Sequence, residues 1–149
     1  MIFYQGNLMK KIVMSLIILL SSLGLYATAA TPDQVVYHID DAQAQGLKGL
    51  RNLRNHLDVS PDTKIVVVTH AMGVDLLMEG ARDTKNNIEY APLVAALKSR
   101  GVRFEVCEIT LKNRDLKKDQ FILDADFTPS GVVRITELQF RNHYAYIKP

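Results

Sequence analysis

The chain has 149 residues, and its 18 Lys and Arg against 16 Asp and Glu give a formal net charge of +2. This small excess argues against nucleic acid as a partner, because non-specific phosphate binding needs a clustered positive surface. The single cysteine excludes an internal disulfide, so the fold must depend on its apolar core, and the length predicts one domain.

The first 29 residues have the pattern of a secretory signal peptide. Two lysines at 10–11 precede an almost entirely apolar stretch, 12–25, and Ala-Thr-Ala at 27–29 fits a small-residue cleavage motif. The apolar stretch is short for a membrane span, although an uncleaved anchor is the alternative. We therefore predict a signal peptide at 1–29, a periplasmic domain at 30–149 and no membrane contact after cleavage.

Removal of this segment changes the charge balance. The segment contains two lysines and no acidic residue, so its removal leaves 16 basic residues and 16 acidic ones. A net charge near zero is compatible with self-association.

The remainder of the chain alternates between two hydrophobic patterns. Short runs rich in Val, Ile and aromatic residues predict five strands: 34–39, 64–69, 102–107, 126–128 and 144–147. Apolar residues spaced three and four apart predict five helices between the strands. Three have both ends predicted: from the Asp40-Asp41 cap to Leu57, around Val74–Met78, and from Pro92 to Gly101. Two more are predicted to begin at Thr110 and after the Ser130 cap. The segment 82–89 is predicted to be a polar connection.

Alternating strands and helices favour a parallel sheet that is covered on both sides. We predict a single-domain, three-layer α/β fold with a five-stranded, mainly parallel sheet of flavodoxin-like order 2-1-3-4-5. In that order the first and third strands are neighbours, and ligands bind where the strand order reverses. Asp40 and Cys107 would then flank one crevice, with His70 at the end of the second strand.

Cys107 has two interpretations. At the end of a strand and the mouth of a helix, its thiol would meet first-turn N–H groups, which favour the thiolate and its nucleophilicity. Alternatively, Val106 and Ile109 bury it as a small apolar side chain. The residues alone leave both interpretations open.

The other polar candidates are also ambiguous. His70 could act as a base or as the thiolate's partner, or could simply bond to a loop. His38, inside a strand, suits a core or interface role, and the Asp40-Asp41 pair suits helix capping. Cys107 and His70 could supply two metal ligands, but no CxxC or HxxxH spacing completes a set. We predict no metal, and the lack of GxGxxG, P-loop and GxSxG motifs gives no support for nucleotide binding or serine hydrolysis.

Several of these motifs together resemble one known family. The motif Val-x-Phe-x-Val-Cys ends at Cys107 and is followed by Arg114, and a Val-Thr-His-x-x-Gly-Val-Asp element contains His70. The Pro-Ser-Gly-Val turn at 129–132 and the closing Tyr-Ala-Tyr-Ile-Lys-Pro at 144–149 are similar to exported members. The chain thus resembles the DsrE/DsrF/TusD-like superfamily over essentially all of its mature length.

This resemblance implies a compact α/β fold assembled into oligomers, commonly trimers or hexamers. It also implies that Cys107 matches the residue that carries sulfur as a persulfide in cytosolic relatives, which favours the reactive-thiol interpretation. The resulting hypothesis is a periplasmic sulfur-relay carrier that needs no cofactor and exchanges sulfur with a donor or acceptor protein, with His70 and Asp40 tuning Cys107 and Arg114 supplying positive charge. The alternative is a non-catalytic oligomeric module that binds a small ligand or metal.

Overall fold

The computed structural model describes residues 31–149, so the predicted signal peptide lies outside the described residues. The strands are β1 Gln34–Asp41, β2 Lys64–Met72, β3 Arg82–Asp83, β4 Ile88–Glu89, β5 Arg103–Cys107, β6 Ala125–Thr128 and β7 Ala145–Ile147. The α-helices are α1 Ala42–Val59, α2 Ala91–Lys98, α3 Glu108–Asn113 and α4 Gly131–Phe140, and 3-10 helices cover Gly73–Leu77 and Lys118–Gln120.

Five strands form one parallel sheet in the order β6-β5-β2-β1-β7. The predicted α/β fold with a five-stranded parallel sheet is confirmed. The predicted order 2-1-3-4-5 is wrong, because in chain order the strands lie 4-3-2-1-5 and β2 separates β1 from β5. The physical reason is that β2 has the longest unbroken buried run of the strands, Ile65 to Thr69, which suits the central position of a sheet covered on both sides.

The two sides of the sheet have different covers. The helix-pair face, to which Tyr37, Val67 and Phe104 point, packs against α1 and α2 and contains most of the buried apolar side chains. The α4 face, to which Val36, Val66 and Val68 point, has a smaller cluster completed by α4. Side chains alternate between these faces along each strand, so the histidines of β1 and β2 and the Glu105 and Cys107 side chains of β5 lie on the α4 face.

A buried carboxylate lies in the middle of the α4 face. Glu105 of β5 is 2% exposed, and Arg134 of α4 donates to both of its oxygens, with N···O distances of 2.7 and 3.0 Å. Arg103 adds a third contact at 2.9 Å. A buried charge is tolerated when it is paired and hydrogen-bonded in this way.

Local signals set most element ends, with two differences from prediction. Asp41 alone caps α1, since its carboxylate accepts from the N–H groups of Gln43 and Ala44, so Asp40 is not part of the cap. Ser130 caps α4 as predicted. The predicted polar connection 82–89 contains a small antiparallel hairpin, β3–β4. The helix after Cys107 begins at Glu108, two residues before the predicted Thr110.

The 3-10 helix after β2 begins at Gly73, which lies against the backbone of β1. A Cβ on Gly73 would stand 2.0 Å from the carbonyl oxygen of Ile39, so only glycine fits there. Each helix in residues 31–149 is too short or too polar to span a lipid bilayer.

Candidate functional site

Cys107 is the last residue of β5 and the N-cap of α3. Its side chain is 5% exposed, and it lines a cleft of about 350 Å³ at the carboxyl edge of the sheet. His70 and Arg114 line the same cleft, together with Ala71, Ile109, Thr110, Asn113, Ser130 and Val132. The structure thus brings together three of the four predicted site residues.

The thiol of Cys107 is surrounded by hydrogen-bond donors. Burial acts to raise its pKa, but the N–H groups of Gly131, Thr110 and Ile109 and the hydroxyl of Thr110 favour the thiolate, and together they hold the pKa below its ordinary value. A buried sulfur with several donors and a route to solvent is suited to act as a nucleophile.

Gly131 allows this arrangement to form. A Cβ there would lie 3.2 Å from the Cβ of His70 and 3.3 Å from the Cβ of Cys107. These are tight contacts, so the absence of a side chain lets the first turn of α4 approach both strand ends. The predicted strand-to-helix turn at 128–131 therefore also forms one wall of the cleft.

Arg114 brings a positive charge to the cleft, but that charge is shared. Its guanidinium donates to the carbonyl oxygen of Ala71 at 3.1 Å and forms an ion pair with Asp75 at 2.8 Å that lacks hydrogen-bond geometry. The N–H of Ala71 donates to the Thr110 hydroxyl at 3.0 Å. Because Ala71 has a positive φ of 50°, these contacts also hold the end of β2 in a strained turn.

His70 connects the cleft to a second polar group. Its Nε2 lies 2.6 Å from the Nε2 of His38, and the Nδ1 of His38 lies 2.6 Å from the hydroxyl of Tyr146. Burial first, and then the neighbouring His70, lower the pKa of His38 against the opposing effect of Asp40, while Lys148 lowers it further.

Asp40 does not line the Cys107 cleft, and the predicted Asp40–Cys107 crevice is wrong. It would need β1 beside β5, whereas β2 lies between them. The carboxylate of Asp40 accepts from the Lys148 ammonium at 2.6 Å, and this hydrogen bond is the main reason that the pKa of Asp40 lies below its usual value.

Three residues near this edge were missed or misjudged from the sequence. The sequence predicts a core or interface role for His38 and gives no functional signal for Tyr146 or Lys148. One signal was available, because His38 and Asp40 are two residues apart on one strand and must share a face. The partner histidine could not be found from local spacing, since it comes from β2.

Together, the fold and the cleft define a class of parallel α/β proteins with a thiol at the carboxyl edge of the sheet. The sequence pattern of the DsrE/DsrF-like family matches residues 20–149, and the chain belongs to this family.

Two solved structures are similar. MTH1491 from Methanobacterium thermoautotrophicum, described as a protein of unknown function, is 32% identical with a TM-score of 0.70, over 78% of this chain and 99% of that one. The ychN protein from E. coli shares the fold at 11% identity and a TM-score of 0.61, over 79% of this chain and 99% of that one. No curated protein matches the chain.

Proposed function

We propose that the protein is an exported sulfur-relay carrier that holds sulfur as a persulfide on Cys107. The observation that carries this proposal is the position of the thiol. It lines an open cleft and lies close to four hydrogen-bond donors that favour its ionised form. Membership of the DsrE/DsrF-like family supports the same role.

The reaction is a thiol exchange in which electrons and atoms balance. The Cys107 thiolate attacks the outer sulfur of a donor persulfide, so a bond forms between Sγ and that sulfur. The donor's own S–S bond breaks, and its electron pair leaves on the donor thiolate. An acceptor thiolate later takes the outer sulfur from Cys107 by the same step. No net oxidation occurs, so the chain needs no cofactor for it.

The cleft residues have separate roles in this proposal. The N–H groups of Ile109, Thr110 and Gly131 stabilise the thiolate before attack and again when it leaves. Arg114 places part of its charge at the cleft wall, where it favours approach of an anionic persulfide. His70 forms the wall toward β1.

Mass spectrometry of the native protein tests the proposal. After incubation with glutathione persulfide, we expect a gain of one sulfur atom per chain that a reductant removes, and fast reaction with iodoacetamide at neutral pH. Cys107→Ser is the matched control, because it removes the only thiol of the chain and must show neither change. Alkylation only after denaturation, with no sulfur gained in the native state, would overturn the relay proposal.

The proposed location is the periplasm. Its support is the signal-peptide pattern at 1–29, with paired lysines, an apolar stretch and a small-residue cleavage motif. Fractionation of the native host should give a periplasmic protein whose N-terminus lies near residue 30. An intact chain from Met1 in the cytoplasm would contradict export.

We also propose a homo-oligomer, trimeric or hexameric, built on the outer surface of α4. That surface carries three apolar side chains that face solvent in the single chain: Val132 and Val133 are more than half exposed and Phe140 is 82% exposed. Exposed apolar side chains clustered on one helix are typical of an interface. Val132 also lines the cleft, so such an interface would border Cys107. Sedimentation equilibrium of the native protein gives the oligomeric state, and a monomer at every concentration would contradict this proposal.

A further inference from the structure

A second group of chemically active side chains lies beside the cleft, on the α4 face. His38 and Asp40 come from β1 and His70 from β2. One ligand atom from each of the three lies within 4.8 Å of the other two. All three are half-buried, so they are held by the sheet yet reachable from solvent.

The strand register explains why they meet. Residues two apart on a strand share a face, which places His38 and Asp40 together. His38 is paired with Val68 of β2, and His70 follows two residues further on the same side. The register of the two strands shifts between Ile39 and Asp41, at the level of Asp40.

We propose that His38, Asp40 and His70 form a binding site for a divalent transition-metal ion of the Zn²⁺ type. Two imidazole nitrogens and one carboxylate oxygen are a donor set for such ions, whereas Mg²⁺ and Ca²⁺ prefer oxygen ligands alone. Three protein ligands leave a fourth tetrahedral position for water or an exogenous ligand. This site goes beyond the sulfur-relay proposal and does not depend on Cys107.

The distances permit such a site after small side-chain rotations. Zinc bonds of about 2.0–2.1 Å place two tetrahedral nitrogen ligands about 3.3 Å apart, and the two Nε2 atoms are now 2.6 Å apart. The two rings must therefore open slightly while the carboxylate closes in. Without a cation, two imidazole nitrogens this close share a proton, and a metal ion can take the place of that proton between the two lone pairs.

An outer residue already orients one ligand. The Tyr146 hydroxyl lies 2.6 Å from the Nδ1 of His38, which fixes the ring with its Nε2 toward His70. Metal-bound histidines have this kind of partner on their second nitrogen. Tyr146 belongs to the edge strand β7, which pairs with β1.

The Lys148 ammonium would compete with a metal ion for the carboxylate of Asp40. The ammonium lies 2.6 Å from a carboxylate oxygen of Asp40, and its positive charge repels a cation at that position. A bound metal must displace this ammonium, so the lysine lowers the affinity that the three ligands would otherwise have. An adventitious surface site would have no such dependence on Lys148.

Calorimetric titration of the full protein with Zn²⁺, and with Mg²⁺ as the control ion, tests the site. We expect one Zn²⁺ per chain and no Mg²⁺ binding. His38→Gln, His70→Gln and Asp40→Asn should each abolish the Zn²⁺ heat, and Tyr146→Phe should weaken binding about tenfold. Lys148→Met should bind Zn²⁺ more tightly than the native protein.

Two controls separate this site from other sources of binding. His143→Gln removes an exposed histidine elsewhere and should leave the titration unchanged. Cys107→Ser should also leave it unchanged, so failure of the metal site and failure of the sulfur relay are distinguishable. The proposal is overturned if Zn²⁺ does not bind, if Cys107→Ser abolishes binding, or if Lys148→Met fails to tighten it. The last readout does not depend on a loss of function, so it holds even where a ligand variant folds poorly.

Discussion

The two faces of the sheet differ in how their side chains are covered. On the helix-pair face, side chains such as Tyr37, Val67 and Phe104 form a continuous apolar core under two helices. On the α4 face one helix covers a small apolar cluster, and the remaining positions hold Glu105, Cys107 and the histidine pair. Stability and chemistry are therefore separated across a single sheet, with the reactive groups on the face that is less completely covered.

The largest change in stability is expected when one leucine of each core is truncated. Leu53 is fully buried on the helix-pair face and Leu138 is 2% exposed on the α4 face. We expect Leu53→Ala to lower the free energy of unfolding by about 4 kcal/mol and Leu138→Ala by about 3 kcal/mol, because the smaller cluster under a single helix relaxes more easily around the lost volume. Urea denaturation at matched protein concentration measures both. Equal costs would mean that the two faces are packed alike.

The next effect concerns the buried ion pair of the α4 face. Arg134→Met leaves the Glu105 carboxylate with Arg103 as its remaining partner, and an incompletely compensated buried charge should cost about 3 kcal/mol. Arg141→Met is the matched control, because its pair with Glu137 is exposed and should cost less than about 0.5 kcal/mol. The double variant Glu105→Met with Arg134→Met should recover most of the loss. If it recovers none, α4 is held by something other than this pair.

A smaller effect concerns the reactivity of Cys107. Its lowered pKa means that the thiolate forms at lower pH than an ordinary thiol, whose pKa is about 8.5. The rate of iodoacetamide alkylation should therefore rise with pH to a plateau that is reached earlier than for a free cysteine model.

Thr110 provides the matched pair for this pH profile. Thr110→Val removes a hydroxyl that stabilises the thiolate, which should raise the pKa of Cys107 and slow alkylation several-fold at pH values below it. Thr110→Ser keeps the hydroxyl and should restore the native profile. A profile that Thr110→Val leaves unmoved would show that backbone N–H groups alone set the pKa.

The smallest effect on stability is expected at the outer surface of α4. Phe140 is 82% exposed in the single chain, so Phe140→Ser should change monomer stability by less than about 0.5 kcal/mol. If this surface is an interface, the same change should shift the assembly toward monomer in sedimentation equilibrium. Thr136→Ser, on the same helix, serves as the control. An unchanged oligomer would place the interface elsewhere.

Prediction from sequence succeeded where the signal was local. The Val-rich runs became β1, β2 and β5, Ser130 became the cap of α4, and Cys107 ended a strand as its position before a helical pattern required. The predicted position of Asp40 beside Cys107 is wrong, because it requires β1 and β5 to be neighbours. The partners of His38 could not be predicted, because Tyr146 and His70 come from two other strands.

The alternation of strands and helices and the position of Cys107 at a strand end follow from local sequence patterns, because periodicity and capping act over only a few residues. Which strands are neighbours depends on long-range packing. That choice depends on how each crossover packs and on which strand can be buried on both sides, and here it put β2 at the centre. The central position of β2 places His70 within reach of both Cys107 and His38, and it separates Asp40 from the thiol.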